Sequence, residues 1–343
     1  MTANAANSPP PTSLTPKLAG FDAEFSSLQH YIRVITDRIW ESRQIDDIYR
    51  YYSDPCTVET ASTVSTSIAD ILNGTRATLA MFPDRRLLAE DVIQSGDAKG
   101  GFLSSHRIIS TMTHLGDGSF GKPTGRRLHA RTIADCVCRD NRIIHEWLVR
   151  DHAAIALQIG STPQALARRW LNERGGWHKP QAGAAPSGYV SHLSDDVLAV
   201  SYATHVEDFV CGRGRVANAY DDAAQQIGPG ELTCYGHREI EEFWTRAFSD
   251  FQVKAFAVEH LAVQRDYLEP SDSRRADRVA MRFRVQTVHE GRAPTPGHFG
   301  ASTGQPVEIL GILHAEFWRG RIIREWVLID EVALWMQIFD SSA

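Results

Sequence analysis

The sequence predicts an α+β protein built from two tandem domains of like design. Three observations carry this. The 343 residues exceed one ordinary core and suit two domains of roughly 150 residues each. Helical spacing comes first in the chain and long strands follow, whereas a parallel α/β sheet would alternate the two. Finally, RIIHEWLVRDHAAIALQI at 142 to 159 recurs as RIIREWVLIDEVALWMQI at 321 to 338, with nine of eighteen positions identical and no gap. The offset of 179 residues is a domain's length rather than a solenoid period, and it also maps Thr124-Gly125 onto Thr303-Gly304. The chain therefore reads as a duplication whose halves pack as a pseudo-dimer; whether that pair dimerises again is left open.

The elements follow in order. Residues 1–20 are rich in Pro, Ser, Thr, Asn and Ala and predict a disordered tail. From Phe21 to about Tyr52, apolar side chains at Leu28, Tyr31, Ile32, Ile35, Ile39 and Ile48 keep helical spacing. Ser53-Asp54-Pro55 predicts a turn, and the β-branched run CTVETASTV a short strand. A helix is expected from Asn73 to Met81, closed by Phe82-Pro83-Asp84, then strands over 86–95, 100–114, 126–140 and 142–150. These define a first domain over 21–160. The Gly, Pro and Ala content of 161–192, which opens as a short helix, marks a linker. The second domain, 193–343, opens with helix from about Ser194 to Tyr220 and carries strands over 251–268, 277–290, 305–318 and 321–329.

Composition narrows the function classes. A net charge of -6 and the lack of any long Lys/Arg run argue against nucleic acid as a partner. No apolar stretch approaches the roughly 20 residues of a membrane span, and the N-terminus does not read as a secretory signal, so a cytoplasmic location is expected. The odd, scattered Cys56, Cys136, Cys138, Cys211 and Cys234 read as reduced thiols, and Cys136-Val137-Cys138 is too closely spaced for the usual zinc pair. No metal and no cofactor are expected; no Gly-rich phosphate loop or nucleophile elbow is seen.

At this point the residues resemble a known family. Asn73-Gly74-Thr75, Phe82-Pro83-Asp84, Glu90-Asp91-Val92, Gly96-Asp97, Thr113-His114-Leu115-Gly116, Gly121 to Arg126, Glu146-Trp147, Asp151, Gln158 and Gly160 follow in the order and spacing of SnoaL-like polyketide cyclases, of the nuclear-transport-factor-two-like superfamily. The second half keeps Gly304, Ile323, Glu325-Trp326, Asp330 and Gln337. The resemblance implies a curved antiparallel sheet wrapped around N-terminal helices and an apolar conical pocket for a small organic ligand. It also implies that an aspartate matching Asp151, and by repeat Asp330, acts as a general base next to a carbonyl without metal or cofactor.

Each candidate has two readings. Asp151 and Asp330 are bases at a pocket floor, or N-caps of the helices AAIALQI and ALWMQI. Counting back from each aspartate to the preceding strand gives Asp135 in the first half, and His314 and Glu316 in the second, as polar partners. His314 and Glu316 share the half-apolar face of VEILGILHAEFW, with Glu308, Leu310 and Ile312, a face read as a site. His106 is the better pocket histidine of the first half, while His114 at a strand end has a rim or turn role as its rival. Trp147 and Trp326 line a ligand pocket or pack the sheet.

The leading expectation is proton abstraction next to a carbonyl of a small apolar substrate, as in an aldol-type cyclase or isomerase. Asp151, Asp330, His314 and Glu316 are its catalytic candidates, with His106, Asp135, His114, Trp147, Trp326 and Arg284 as substrate contacts. The alternatives are a non-catalytic ligand-binding or assembly module, and an epoxide hydrolase whose Asp-Arg-Asp group would draw on Arg282 or Arg284. The differing neighbours of the two aspartates predict unequal pockets.

Overall fold

The computed structural model describes residues 18–181, 191–265, 276–291 and 297–340. Residues 1–17 of the expected tail and 182–190 of the expected linker lie outside them.

In the first domain, α1 (Leu28–Thr36) is capped by Ser27, whose hydroxyl accepts from the His30 N–H, and it buries Leu28, Tyr31, Ile32 and Ile35. The long helix expected to Tyr52 breaks where Arg43 takes a left-handed backbone (φ 58°), and helix resumes only as α2 (Ile48–Tyr51). β1 (Tyr52–Thr60) begins where a turn was expected and is followed by β2 (Val64–Ser65). The helix α3 (Ile68–Met81) starts ahead of Asn73 because Ser67 is its cap, accepting from the Asp70 N–H. The strands β3 (Arg86–Asp97), β4 (Gly101–Thr113), β5 (Arg127–Arg139) and β6 (Arg142–Arg150) fall close to their expected bounds. α4 (His152–Gln158) follows directly. α5 (Pro163–Arg174) lies in the segment expected as linker, between a Thr162 cap and a left-handed Gly175.

The second domain repeats the plan with α6 (Val197–Val210), α7 (Val216–Ala219), β7 (Tyr220–Gly228), β8 (Leu232–Tyr235), α8 (Gly236–Phe248), β9 (Phe251–Gln264), β10 (Asp277–His289), β11 (Pro306–Trp318), β12 (Arg321–Ile329) and α9 (Glu331–Phe339). The two six-stranded sheets have the same order, β2-β1-β6-β5-β4-β3 and β8-β7-β12-β11-β10-β9. Both are mixed rather than wholly antiparallel, because β1 runs parallel to β6 and β7 parallel to β12. The first and last strands of a domain are not joined by a hairpin, so no tight turn dictates their direction. The result is an α+β protein of two tandem domains. Among the described residues no helix is long and apolar enough to cross a membrane.

Strand alternation gives each sheet two buried faces. In β4, β5 and β6 one face carries His106, Ile108, Ala134, Cys136, Glu146 and Leu148 toward the domain's own helices. The other face carries Leu103, Ile133, Val137, Trp147 and Val149, which pack on Leu310, Ile312 and Leu328 of the second sheet. Each such buried side chain contributes roughly 1.5–3 kcal/mol. The duplication is visible in this interface as a reciprocal pair: Arg107 lies over the Trp326 ring at 3.4 Å, and Arg282 lies over the Trp147 ring at 3.6 Å.

A candidate active site in the first domain

The two domains differ in what lies between sheet and helices. In the second, Tyr202, Phe209, Tyr220, Trp244, Phe248 and Phe283 fill the space. Glu325, buried among them, accepts from the Tyr202 hydroxyl at 2.6 Å, the Gln226 amide at 2.7 Å and the Tyr220 hydroxyl. A hollow of about 30 Å³ lies at one end, between Phe243, Phe299 and Leu334. In the first domain the corresponding space is a cavity of about 420 Å³, walled by Ile35, Ile39, Ile108, Met112, Leu148 and Ile155. Its size and apolar lining suit a small organic molecule.

A few polar groups converge on that cavity. His152, the first residue of α4, sits against the edges of Trp170 (5.0 Å) and Phe120 (6.0 Å). Its Nδ1 is 2.7 Å from Oδ2 of Asp330, contributed by the second domain. Because a carboxylate oxygen accepts, this contact places the proton on Nδ1 and leaves Nε2 as the ring's free acceptor. Asp330 is itself fixed, its Oδ1 accepting from the N–H groups of Val332 (3.2 Å) and Ala333 (3.3 Å) at the start of α9. Glu146 is the counterpart of Glu325, but here, among the described residues, it keeps one hydrogen-bond partner, the Tyr52 hydroxyl at 3.1 Å. Burial raises its carboxyl pKa against the opposing pull of Arg150 and Tyr52.

His106 also borders the cavity, and among the described residues its Nε2 has no hydrogen-bond partner. Burial, with Arg33 and Arg107 nearby, pushes this ring down to about 3, so it is neutral. Arg85 is buried on the turn that closes α3, and its Nε and Nη2 reach the Ser110 hydroxyl at 3.3 and 3.0 Å. Burial, then Arg150 and Arg43, bring it down to about 9. No three His, Cys, Asp or Glu side chains cluster as metal ligands among the described residues.

Asp151 lies at the cavity's edge with both oxygens engaged. Oδ1 accepts from Ala154 (2.8 Å), capping α4, and from Gly230 (2.9 Å); Oδ2 accepts from Glu231 (3.1 Å). It therefore caps a helix and clasps the second domain at once. Burial raises it to about 6 despite those three N–H groups.

Several other sequence candidates are not brought to the cavity. Asp135 projects from the opposite face of β5 into the interdomain layer, where Arg282 donates to Oδ2 at 2.7 Å and His260 lies at 3.0 Å. Burial would raise its carboxyl, but His260 and Arg282 prevail and hold it at about 2. His314 occupies the equivalent place in the second sheet, with Ser105 at 2.8 Å and the Arg107 guanidinium at 3.3 Å. Burial and Arg107 take its ring well below the ordinary range. Glu316 lies further along the same face and pairs with Arg324 at 3.0 Å. Trp147 and Trp326 lie beneath the interdomain arginines rather than in a pocket of their own domains. Arg284 is held by Glu59 (2.6 Å), Glu259 (2.8 Å) and Glu308 (2.8 Å) beside a second, interdomain hollow. Arg282 and Arg284 thus face away from the second domain's own interior, and the Asp-Arg-Asp arrangement of the epoxide-hydrolase alternative is not assembled there. His114 fixes a turn, its Nδ1 3.3 Å from Thr124 Oγ1, as His289 does with Thr303 at 3.0 Å.

His152, Glu146, Arg85 and Arg150 are cavity residues that the sequence reading did not single out as site residues. Alternation within RIIHEWLVR sets Glu146 and Arg150 on one face, a usable signal; nothing in the sequence joins His152 to a carboxylate 178 positions away.

Residues 30–159 match the SnoaL-like polyketide cyclase family model. The match spans nearly all of the first domain, and the second repeats its sheet order strand for strand. Solved structures similar to the chain include AclR from Streptomyces galilaeus, with 19% identity, 39% of this chain and 98% of that one covered, and TM-score 0.35. A SnoaL-like polyketide cyclase from Agrobacterium tumefaciens gives 19%, 39%, 98% and 0.33. IdmH from Streptomyces antibioticus gives 22%, 35%, 88% and 0.31. No curated protein matches.

Proposed function

We propose that the first domain's cavity performs cofactor-independent proton abstraction next to a carbonyl in a small, largely apolar substrate, the reaction class of aldol-type cyclases and isomerases. The observation that carries this reading is the His152–Asp330 pair at the cavity wall. A carboxylate on Nδ1 orients the ring and leaves Nε2 as the nitrogen that can take a proton from the substrate. Glu146, with its carboxyl pKa raised by burial, is the group suited to return a proton elsewhere on the substrate. Asp151, the base by family resemblance, has both oxygens on backbone N–H groups, so the role passes to its neighbour in sequence. The second domain contributes Asp330 and a filled interior instead of a second site.

The rival reading, a binding module without chemistry, is favoured by the capping role of Asp151. Solvent deuterium exchange at the acidic C–H of bicyclic ketones such as 2-tetralone separates the two. The wild-type protein accelerates exchange over buffer, and His152→Ala loses about 10²–10⁴-fold of that acceleration. Equal rates for wild type and His152→Ala, or no acceleration by either, would sink the enzymatic reading.

A further inference from the structure

We infer that the ligand of the first cavity carries a carboxylate, seated against the guanidinium groups of Arg85 and Arg150. This deepens the reading above, because it assigns a substrate class to the same cavity, yet it depends on different residues.

Both arginines border the cavity, Arg85 from the turn after α3 and Arg150 from the end of β6. Arg85 is 7% exposed, and its hydrogen-bond acceptor is a neutral hydroxyl, that of Ser110. Among the described residues neither arginine forms an ion pair with a carboxylate. Arg150 is half-buried. The buried arginines Arg107 and Arg282 differ from Arg85: Arg107 pairs with Glu90, and Arg282 with Asp135 and Glu259. A buried cation is ordinarily paired, because its desolvation is otherwise uncompensated. Here two cations border one cavity and act on each other, since Arg150 is among the charges that depress Arg85.

Glu146 and Asp330 lie near enough to act on Arg150 electrostatically, but among the described residues no carboxylate around the cavity pairs directly with Arg85 or Arg150. Asp151 is bound by three backbone N–H groups and Asp330 by two and by His152. Glu146 accepts from the Tyr52 hydroxyl, and burial raises its carboxyl pKa against the pull of Arg150. Asp70 accepts a hydrogen bond from Ser67 at the start of α3. A planar anion with two oxygens would meet the fork geometry of guanidinium donors, and the remaining apolar wall would hold a ring system. Trp40, over which Arg85 lies at 5.0 Å, closes that end of the space.

The test is the affinity of the whole protein for 2-naphthoate against its neutral isostere 2-naphthamide, read by calorimetry at pH 7. The carboxylate is expected to bind tenfold or more tightly than the amide. Arg85→Gln and Arg150→Gln each bring that ratio toward one, while Lys254→Gln, at an exposed position on β9 away from the cavity, leaves it unchanged. Should Arg85→Gln fail to fold, Arg85→Lys and Arg150→Gln carry the comparison, the lysine retaining only part of the preference. A ratio near one in the wild type, no binding of 2-naphthoate, or a ratio that survives both Gln variants overturns the inference. A preserved ratio without His152-dependent exchange removes only the base; exchange with a ratio of one removes only the anion site.

Discussion

Nδ1 of His152 and Oδ2 of Asp330 meet at 2.7 Å, so a histidine on the wall of the first domain's cavity is oriented by a carboxylate of the second. At the repeat-equivalent place the second domain has Glu331, which pairs instead with His298 at 2.7 Å. One domain thus has the cavity, and the other supplies the carboxylate that contacts a residue of its wall. The first domain has a hollow of about 420 Å³ between its sheet and helices, and the second has a hollow of about 30 Å³ beside Phe243, Phe299 and Leu334.

Asp330→Asn separates orientation from helix capping. Asparagine caps a helix nearly as well as aspartate, so urea-induced unfolding shifts by about 1 kcal/mol or less, while catalysed exchange falls at least about tenfold. Loss of stability without loss of exchange would mean that Asp330 is only a cap.

Gly311 measures how tightly the second interior is filled. A Cβ built there would stand 2.4 Å from the Phe283 ring. Gly311→Ala is expected to cost about 1–3 kcal/mol in denaturant unfolding. The repeat-equivalent Thr132 borders the open cavity, and Thr132→Val should cost less than Gly311→Ala.

Asp135 predicts an acid limb in the stability profile. Its carboxyl is held at about 2, below the ordinary 3.8. A depressed carboxyl contributes stability that is present above about pH 4 and is lost as pH falls toward 2, on the order of 2 kcal/mol. Asp135→Asn should flatten that limb in thermal melts and lower stability at pH 7 by about 3–5 kcal/mol, because Arg282 is left without this partner.

His106 acts in a different window. Its ring is pushed from 6.5 to about 3 in the folded protein. Protonation of the unfolded chain therefore erodes stability from about pH 6.5 downward until the folded pKa is reached. His106→Gln should show a shallower decline between pH 6.5 and 3 in the same melts, and an unchanged slope would contradict the assignment.

Much of the fold is legible in the sequence because duplication and alternation are strong signals. The repeat at 142–159 and 321–338 identifies the two copies of β6–α4 and β12–α9. By contrast β7, YDDAAQQIG, has weak strand character and becomes a strand by pairing with β12. The site is less legible for a physical reason: both faces of each sheet are buried, one on the domain's own interior and one on the partner domain. Alternation in VEILGILHAEFW separates Leu313 from His314 correctly but carries no mark of which face meets a cavity. His314, Glu316 and Asp135 were accordingly expected at a pocket and lie in the interdomain layer.

The pairing of His152 with Asp330 is read most directly from the ring nitrogens by ¹⁵N NMR of the intact chain at neutral pH. Nδ1 of His152 should carry the proton and Nε2 should not, and Asp330→Asn should shift the Nδ1 signal and weaken that tautomer preference. A ring protonated at Nε2, or one whose signals do not respond to Asp330→Asn, would contradict the account.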